Sequence, residues 1–478
     1  MRTISSCRPP GLRGWVWAAT LALAGCASTA IDVNFDHART VSEQHLGARP
    51  RWLTSDEARR DARLQVDALL TQPLSGDDAV RIALAYSPAL QSLLFQQAEA
   101  SAQATQSARM PNPVFTFERL VRRAGGETEI DIGRMISFSV FDLLMWPARQ
   151  RLADLQQQQA RLRLSGDVVQ AATRARQAWV RAVAAGQSLR YAEQVNTAAD
   201  AGAELARRMQ AAGNFSRLQR AREQAYSAQA VAQLARARQA AQSAREELVR
   251  VLGLDDTQAA ALQLPQRLPD LPVMARDEAS VAQVALDQRL DLRLARAELD
   301  ALARQRGLTR VTSVVNGLHV AGVRNSETGE APQKGYELEF ELPIFDAGDA
   351  ARAGSQARYM AALNRTAQLA VEASSQVRES YGSYRTAYDV ARHYRDEIVP
   401  LQKTIAEENL LRYNGMLIGV FELLADTREQ IGTVMQAIDA QRDFWLADAA
   451  LQSALIGRPA GSVALESPAA APAAAGAH

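Results

Sequence analysis

Between Pro147 and Gly213 the sequence contains nothing that breaks a helix. At 1.5 Å per residue such a stretch reaches roughly 95 Å. An ordinary globular core has no use for a rod of that length. Pro147 is suited to the first helical position, where its missing N–H is no loss. A second long stretch carries Leu363, Ala370, Val377, Tyr384, Ala391 and Ile398 at seven-residue intervals. That is a coiled-coil period with a mixed, small-residue seam. The remaining positions are rich in Arg, Gln, Glu and Ala. A narrow seam with wet faces on either side suits helices standing side by side around a water-filled tube. From the period alone, a plain coiled coil is the competing reading. Pro400 is predicted to kink this second rod.

The chain also reads as two copies of one pattern. Ala83-Leu84 aligns with Ala285-Leu286, and Phe141-Asp142 with Phe345-Asp346. Gly213, Phe215, Leu218 and Arg222-Glu223-Gln224 align with Gly419, Phe421, Leu424 and Arg428-Glu429-Gln430, and Gly253 with Gly457. The expected segments are an irregular stretch over 26–75, a first repeat over 76–253, a linker over 254–276 holding Pro265, Pro269 and Pro272, a second repeat over 277–457, and an Ala/Pro-rich, disordered tail over 458–478. Each repeat reads as helix, strand pair, long helix, turn and shorter helix.

In the first repeat a helix is expected near 77–109, ending before Pro111. A strand over Ile130 to Phe141 alternates Ile130, Ile132, Ile136, Phe138 and Val140, interrupted by Arg134, with Asp131, Gly133, Ser137 and Ser139. In the second, Tyr336, Leu338, Phe340 and Leu342 alternate with Glu337, Glu339 and Glu341, and Val311 to Val323 supplies the remaining strand. Four strands cannot close around a lumen, and open edges inside a lipid bilayer would leave backbone groups unsatisfied. The strands therefore need partners from other chains.

Basic and acidic side chains nearly cancel, 54 against 53. That argues against nucleic-acid binding through bulk charge. No run of about 18 apolar residues follows the N-terminus, which excludes a polytopic helical membrane protein. The N-terminus itself reads as an export signal over 1–25: Arg2, Arg8 and Arg13, then the short apolar core from Trp15 to Ala24. Leu23-Ala24-Gly25-Cys26 resembles a bacterial lipobox, making Cys26 the lipidated first residue of the mature chain. Ala27 lacks the acidic signal for inner-membrane retention, which points to the outer membrane. Cys7 leaves with the signal, so the mature chain forms no intrachain disulfide. His37, His45, His319, His393 and His478 are scattered without ligand spacing, and no phosphate loop or nucleophile elbow occurs. Neither metal, cofactor nor catalytic residues are expected.

The combination resembles the TolC-type outer-membrane efflux factor family over about 80–457. The residues that carry the resemblance are Leu342-Pro343-Ile344-Phe345-Asp346-Ala347-Gly348, similar to the family's strand-to-helix junction, and Ser87-Pro88-Ala89-Leu90 and Arg289-Leu290-Asp291-Leu292 at the repeat openings. Pro111-Asn112-Pro113 before the first strand and Arg412-Tyr413-Asn414-Gly415 with Glu422-Leu423-Leu424 at the tip add to it. The resemblance implies a mainly α fold with a membrane β-barrel portion. In a homotrimer, long coiled-coil helices would form an α-barrel and four strands per protomer a 12-stranded β-barrel.

The function so implied is a passive exit duct, joined by a periplasmic adaptor protein to an inner-membrane efflux transporter. Glu337, Glu339 and Glu341 would line the pore and favour cations. Gly213 and Gly415 to Gly419 would close the helices at the periplasmic tips by adopting positive φ. Arg412, Tyr413, Glu422 and Asp426 beside them would hold the tunnel shut, and the same turns would receive the adaptor. Cys26 would carry the lipid. The alternative is a lipid-anchored periplasmic adaptor, which would have one helical hairpin between lipoyl-like β segments.

Overall fold

The computed structural model describes residues 26–124, 126–278, 289–313, 317–340, 342 and 344–457. The expected export signal, Ala285-Leu286, Glu341, Pro343 and the tail lie outside the described residues. The chain divides into two compact units. One comprises Met1–Ala38, Phe95–Leu164 and Leu292–Ala370, and the other Arg39–Leu94, Ser165–Asp291 and Val371–His478. Each unit thus takes segments from both repeats. No described helix is long and apolar enough to cross a membrane.

The segment expected to be irregular instead forms two helices, α1 (Cys26–Leu46) and α2 (Asp56–Leu69). The buried stripe of α1 is Asn34, Ala38 and Ser42. Polar and small residues at core positions hid its period. Helix α2 announces itself through Ser55, whose hydroxyl accepts the Ala58 N–H at 3.2 Å, followed by Asp56 and Glu57 in the first turn. The next expected helix is two, α3 (Gly76–Tyr86) and α4 (Pro88–Ser107). The residue before Pro88 is pushed out of helical geometry, and Ser87 has ψ 122°.

The sheet-bearing unit contains β1 (Val114–Ala124), β2 (Glu127–Ser139), β3 (Leu318–Glu327) and β4 (Gln333–Phe340), antiparallel in the order β1-β2-β3-β4. Gly126 and Gly329, both with φ 90°, sit in the two hairpin loops. Thr328 carries the β2–β3 pairing past Glu327, its N–H donating to the Ile130 carbonyl at 3.1 Å and its hydroxyl accepting the Ile130 N–H at 2.9 Å. Helix α5 (Val140–Ala211, 72 residues) begins seven residues before Pro147, so Val140 and Phe141 are helical and Pro147 is internal. The start is set by Ser139, whose hydroxyl accepts the Asp142 N–H at 3.2 Å. An Asp142–Arg149 ion pair then spans the proline, and Trp146 donates to the Ala108 carbonyl at 2.8 Å. At 1.5 Å per residue α5 is about 108 Å long.

Helix α8 (Leu290–Thr312) runs through Val311, so the strand expected from there begins only at Leu318. Ser313 still donates helically to the Thr309 carbonyl at 2.9 Å. The β-branched run had read as strand. A polar clasp locks α1 to α4 and α5: Asn34 donates to Gln157 at 2.8 Å, and Ser101 donates to Gln157 at 2.6 Å.

The second unit holds the rest of α5, α6 (Arg217–Leu252), α7 (Asp256–Ala261), and the second repeat's rod below Val371. That rod is α9 (Asp349–His393), a π-helical turn Tyr394–Ile398 and α10 (Val399–Asn414), followed by α11 (Val420–Ile456). Pro400 leaves its mark as the π turn just upstream, where its missing N–H interrupts the regular ladder. The heptad seam is buried at Val377, Tyr384 and Ala391, while Leu363 and Ala370 are exposed. Tyr384, Tyr388, Phe444 and Trp445 form the aromatic centre, with Phe444 ring centroids 5.6, 5.7 and 5.1 Å from the other three. The proline segment between the repeats is packed, not loose. Leu262, Leu268 and Leu271 are buried, and the Pro269 carbonyl accepts from Gln441 at 2.7 Å and Trp445 at 3.0 Å.

Both repeats end on a left-handed glycine pressed against a repeat opening. A Cβ on Gly253 would lie 2.2 Å from Pro88 Cδ, and one on Gly457 would lie 2.4 Å from Asp291 Oδ1. Arg289, fully buried, fixes Asp291 at 2.6 and 3.0 Å. The opening motifs Ser-Pro-Ala-Leu and Arg-Leu-Asp-Leu therefore serve as seats for the closing helices.

Candidate functional site

Two places collect the residues singled out by the sequence, one in each unit. The first is the sheet. Directly paired residues share a face, so the register assigns each side chain. Glu337 pairs with Ala321, and Glu339 with His319. The same face carries Ser137 and Ser139 opposite Ala321 and His319. Further along it come Glu118 beside Gly133, Asp131 beside Glu327, and Glu129 paired with Arg122 at 3.6 Å. Every acidic residue of the four strands lies on this face. Glu337 and Glu339 are thus the lower end of a longer acidic surface. Asp131 stands on the polar face of the alternation expected for β2 but not among the expected pore carboxylates, and Glu118 and Glu327 lie on strands that alternate less cleanly. The apolar part of the other face is Phe115, Phe117, Phe138, Tyr336, Leu338 and Phe340, all more than half exposed to solvent in the single chain.

The sheet is also unfinished. β1 and β4 each use one edge within the chain and leave the other unpaired among the described residues. An exposed edge flanked by apolar side chains is a template for another strand.

The second place is the pair of tips. Helix α5 ends with Asn214 N–H donating to the Met209 carbonyl at 2.8 Å and Gly213 N–H to Gln210 at 3.0 Å. Helix α10 ends identically: Leu417 N–H donates to Arg412 at 2.8 Å and Met416 N–H to Tyr413 at 2.9 Å. Both are Schellman closures, which need a left-handed residue at the penultimate donor. Gly213 supplies it with φ 81°. In the second repeat the residue is Met416, with φ 57°, whereas Gly415 and Gly419 have φ −79° and −85°. The expectation of positive φ at Gly415 and Gly419 is therefore corrected. Matching the closures aligns Gly213 with Met416, Phe215 with Ile418 and Ser216 with Gly419, three residues away from the alignment read in the sequence. The repeated Arg-Glu-Gln had drawn the sequences into the other register. Ser216 forms a full capping box with Gln219, but Gly419 caps α11 without a side chain.

Arg412 and Glu422 are exposed and form no ion pair within the chain among the described residues. Tyr413 is 38% exposed, and Asp426 accepts from Asn409 across α10 and α11. Arg412 and Asp426 are not brought together. The pairing that joins the repeats near the tips is Glu223 with Arg428. Glu223 is 2% exposed, and Arg428 also lies over the Tyr226 ring at 4.4 Å. Burial pushes the Tyr226 hydroxyl above its ordinary pKa, opposed by Arg428. Sequence reasoning had noted both residues only as a repeat match. Beneath them Ala206, Phe215 and Val420 form a small apolar cluster with Phe421 and Leu424 alongside. Met416 and Leu417 project beyond it, 93% and 73% exposed.

The same unit contains a cavity of about 750 Å³ lined by Trp179, Tyr384, Phe444, Arg176, Arg276 and Asp448 among others. Asp448 pairs with Arg276 at 3.2 Å and accepts from Gln452 at 2.7 Å. Burial raises its pKa, with Arg276 and Arg176 opposing. No group of metal-ligating side chains occurs among the described residues.

No protein-family model and no curated protein matches the sequence. Solved structures do match. The CmeC outer membrane channel of Campylobacter jejuni superposes with TM-score 0.69 at 14% identity, over 82% of this chain and 87% of that one. The open state of the MtrE outer membrane channel of Neisseria gonorrhoeae gives 0.64 at 17% identity, over 79% and 88%. The outer membrane protein VceC of Vibrio cholerae gives 0.62 at 16% identity, over 84% and 99%.

Proposed function

Starting from the protomer fold of TolC-type outer-membrane channels, we propose that three copies of this chain close into one duct through the outer membrane of a Gram-negative bacterium. The observation that carries this reading is the four-stranded sheet with two open edges, one face that holds every carboxylate and one that is apolar toward α5 and α9. Three such sheets joined edge to edge make a twelve-stranded barrel without free edges. The apolar face meets lipid, where a charge near the midplane costs roughly 2–4 kcal/mol, so the carboxylates line the water. The four strands and two helical hairpins also disfavour the adaptor alternative, which has one hairpin.

The duct is the exit component of a tripartite efflux system. Its tips receive a periplasmic adaptor protein, which links it to an inner-membrane transporter. Met416 and Leu417 support this, since two adjacent, largely exposed apolar side chains at the tip offer a contact surface. The Glu223–Arg428 pair, together with Asn409–Asp426, holds the helices at the tips. Cys26 carries the lipid anchor. Cys26 is the first residue of α1, about 12 Å along that helix from Asn34.

Membrane flotation and unboiled gel electrophoresis test the reading together. An outer-membrane, heat-modifiable trimer is expected; a soluble monomer would overturn it. The acidic lumen is read by reversal potentials in planar bilayers. Glu337→Gln with Glu339→Gln should weaken cation preference, and an unchanged preference would remove that role.

A further inference from the structure

The face opposite the carboxylates is not purely apolar. In register it also presents Arg119, Arg123, Arg134, Arg324 and Lys334, and no acidic residue of any strand. All five are exposed, and none makes an ion pair among the described residues. The charges are not scattered. Arg134 is directly opposite Arg324, and Arg324 directly opposite Lys334, giving one row across three strands. Side chains so paired have Cβ atoms about 4.5–5.5 Å apart, and like charges there are destabilising. Phe117 flanks the row, and Arg119 is its diagonal neighbour on β1.

The row also has a fixed height. From Phe340 to Lys334 the strand climbs about 20 Å, or about 15 Å along a barrel axis at 40° tilt. Leu342, Ile344 and Phe345, which follow Phe340 in the chain, are also exposed. The half of the face nearer α5 and α9 is thus aromatic and aliphatic, and the cations are confined to the half nearer the hairpin loops. Cations facing lipid are tolerated toward an interface and not at the midplane. A continuous apolar band that ends on a row of unpaired guanidinium and ammonium groups matches an amphiphile with acyl chains below and a doubly charged anionic head above.

We propose that Arg134, Arg324 and Lys334, with Arg119 beside them, form a binding site for the phosphate groups of an outer-leaflet phosphorylated glycolipid on the outer wall of the barrel. The inference rests on reading the sheet as the membrane wall. Guanidinium groups bind phosphate through paired N–H donors, and an anion seated among three adjacent cations offsets their mutual repulsion. The site resolves Arg134, the residue that interrupts the apolar alternation of β2.

The test uses the purified trimer in mild detergent. It is incubated with bisphosphorylated lipid A, and separately with the same lipid after phosphatase treatment. Bound lipid per trimer is measured by mass spectrometry after size exclusion, and single-channel conductance is recorded on the same preparations. At least about tenfold more phosphorylated than dephosphorylated lipid should be retained, reflecting charge-assisted bonds. Arg134→Gln/Arg324→Gln/Lys334→Gln should reduce retention to the dephosphorylated level with conductance intact, and Arg134→Lys/Arg324→Lys, which keeps the charge but loses the paired donors, should reduce it less. Equal retention of the two lipids by a conducting wild-type trimer would overturn the site and leave the duct standing. A wild-type trimer that does not conduct would overturn the duct and the site with it. Should the triple variant fail to assemble, the comparison of the two lipids on the wild type decides alone.

Discussion

The two repeats solve the same structural problem with different residues. Both close their second helix on a left-handed glycine, Gly253 or Gly457, jammed against a repeat opening. At the tips they part. The first repeat closes α5 with Gly213 and starts α6 with a capping box. The second closes α10 with Met416 in a backbone conformation that costs a side-chain-bearing residue about 1–2 kcal/mol, and starts α11 on an uncapped glycine. The shared Arg-Glu dipeptide parts too: copy one contributes its buried Glu223, copy two its Arg428. Backbone close approach leaves no choice of residue, whereas a solvent-facing turn does, and the second tip uses that latitude to expose apolar surface.

The largest expected effect tests the unequal use of the dipeptide. Arg428→Met leaves the Glu223 carboxylate buried without its cation and should destabilise the trimer by about 3 kcal/mol. Arg222→Met, which only removes a contact over Phe421 at 5.9 Å, should cost under about 1 kcal/mol. Equal losses in thermal melts of the two variants would erase the asymmetry.

Next come the shared seats. Gly253→Ala and Gly457→Ala each combine positive φ with a clash, so about 2 kcal/mol or more is expected. The two losses should be comparable, because the Pro88 ring is fixed by its backbone and the Asp291 carboxylate by the buried Arg289. At the tips the sign reverses. Met416→Gly should raise stability by about 1 kcal/mol while weakening capture of the adaptor, and a loss of stability would show that the left-handed Met is not strained.

The smallest effect is a pH dependence. Counting back from the terminal glycines, Asp448 in the second repeat stands where the first has Ala244. Its folded pKa is raised, so the folded state favours the protonated carboxyl. Its contribution to stability is present below the unfolded value of about 3.9 and is lost as pH rises through the folded value. Asp448→Asn should therefore flatten the melting-temperature profile above about pH 4, and an unchanged profile would assign that slope to other groups.

Much of this was legible from residue order. The duplication, the long rods, the alternation of β4 and the Gly253–Gly457 equivalence all follow from spacing, because period and glycine placement have direct geometric causes. Other features depend on what a residue meets in space. The stripe Asn34, Ala38 and Ser42 carries no hydrophobic period, yet it is buried because Gln157 and Ser101 satisfy Asn34. Pro147 looked like a helix start because the cap at Ser139 lay inside an alternating strand pattern. The tip alignment failed because Arg-Glu-Gln matched by composition while the hydrogen bonds of the helix ends set another register. The acidic face was legible on β4 and, at Asp131, on β2; the rest required the pairing of the strands.

Single-channel recording of the unboiled, purified protein in planar bilayers tests the central claim most directly. Three chains sharing one barrel should give a single class of discrete conductance step, carried by a species that migrates as a trimer. Steady insertion into the membrane with no conductance above baseline, or conductance from monomers, would contradict it.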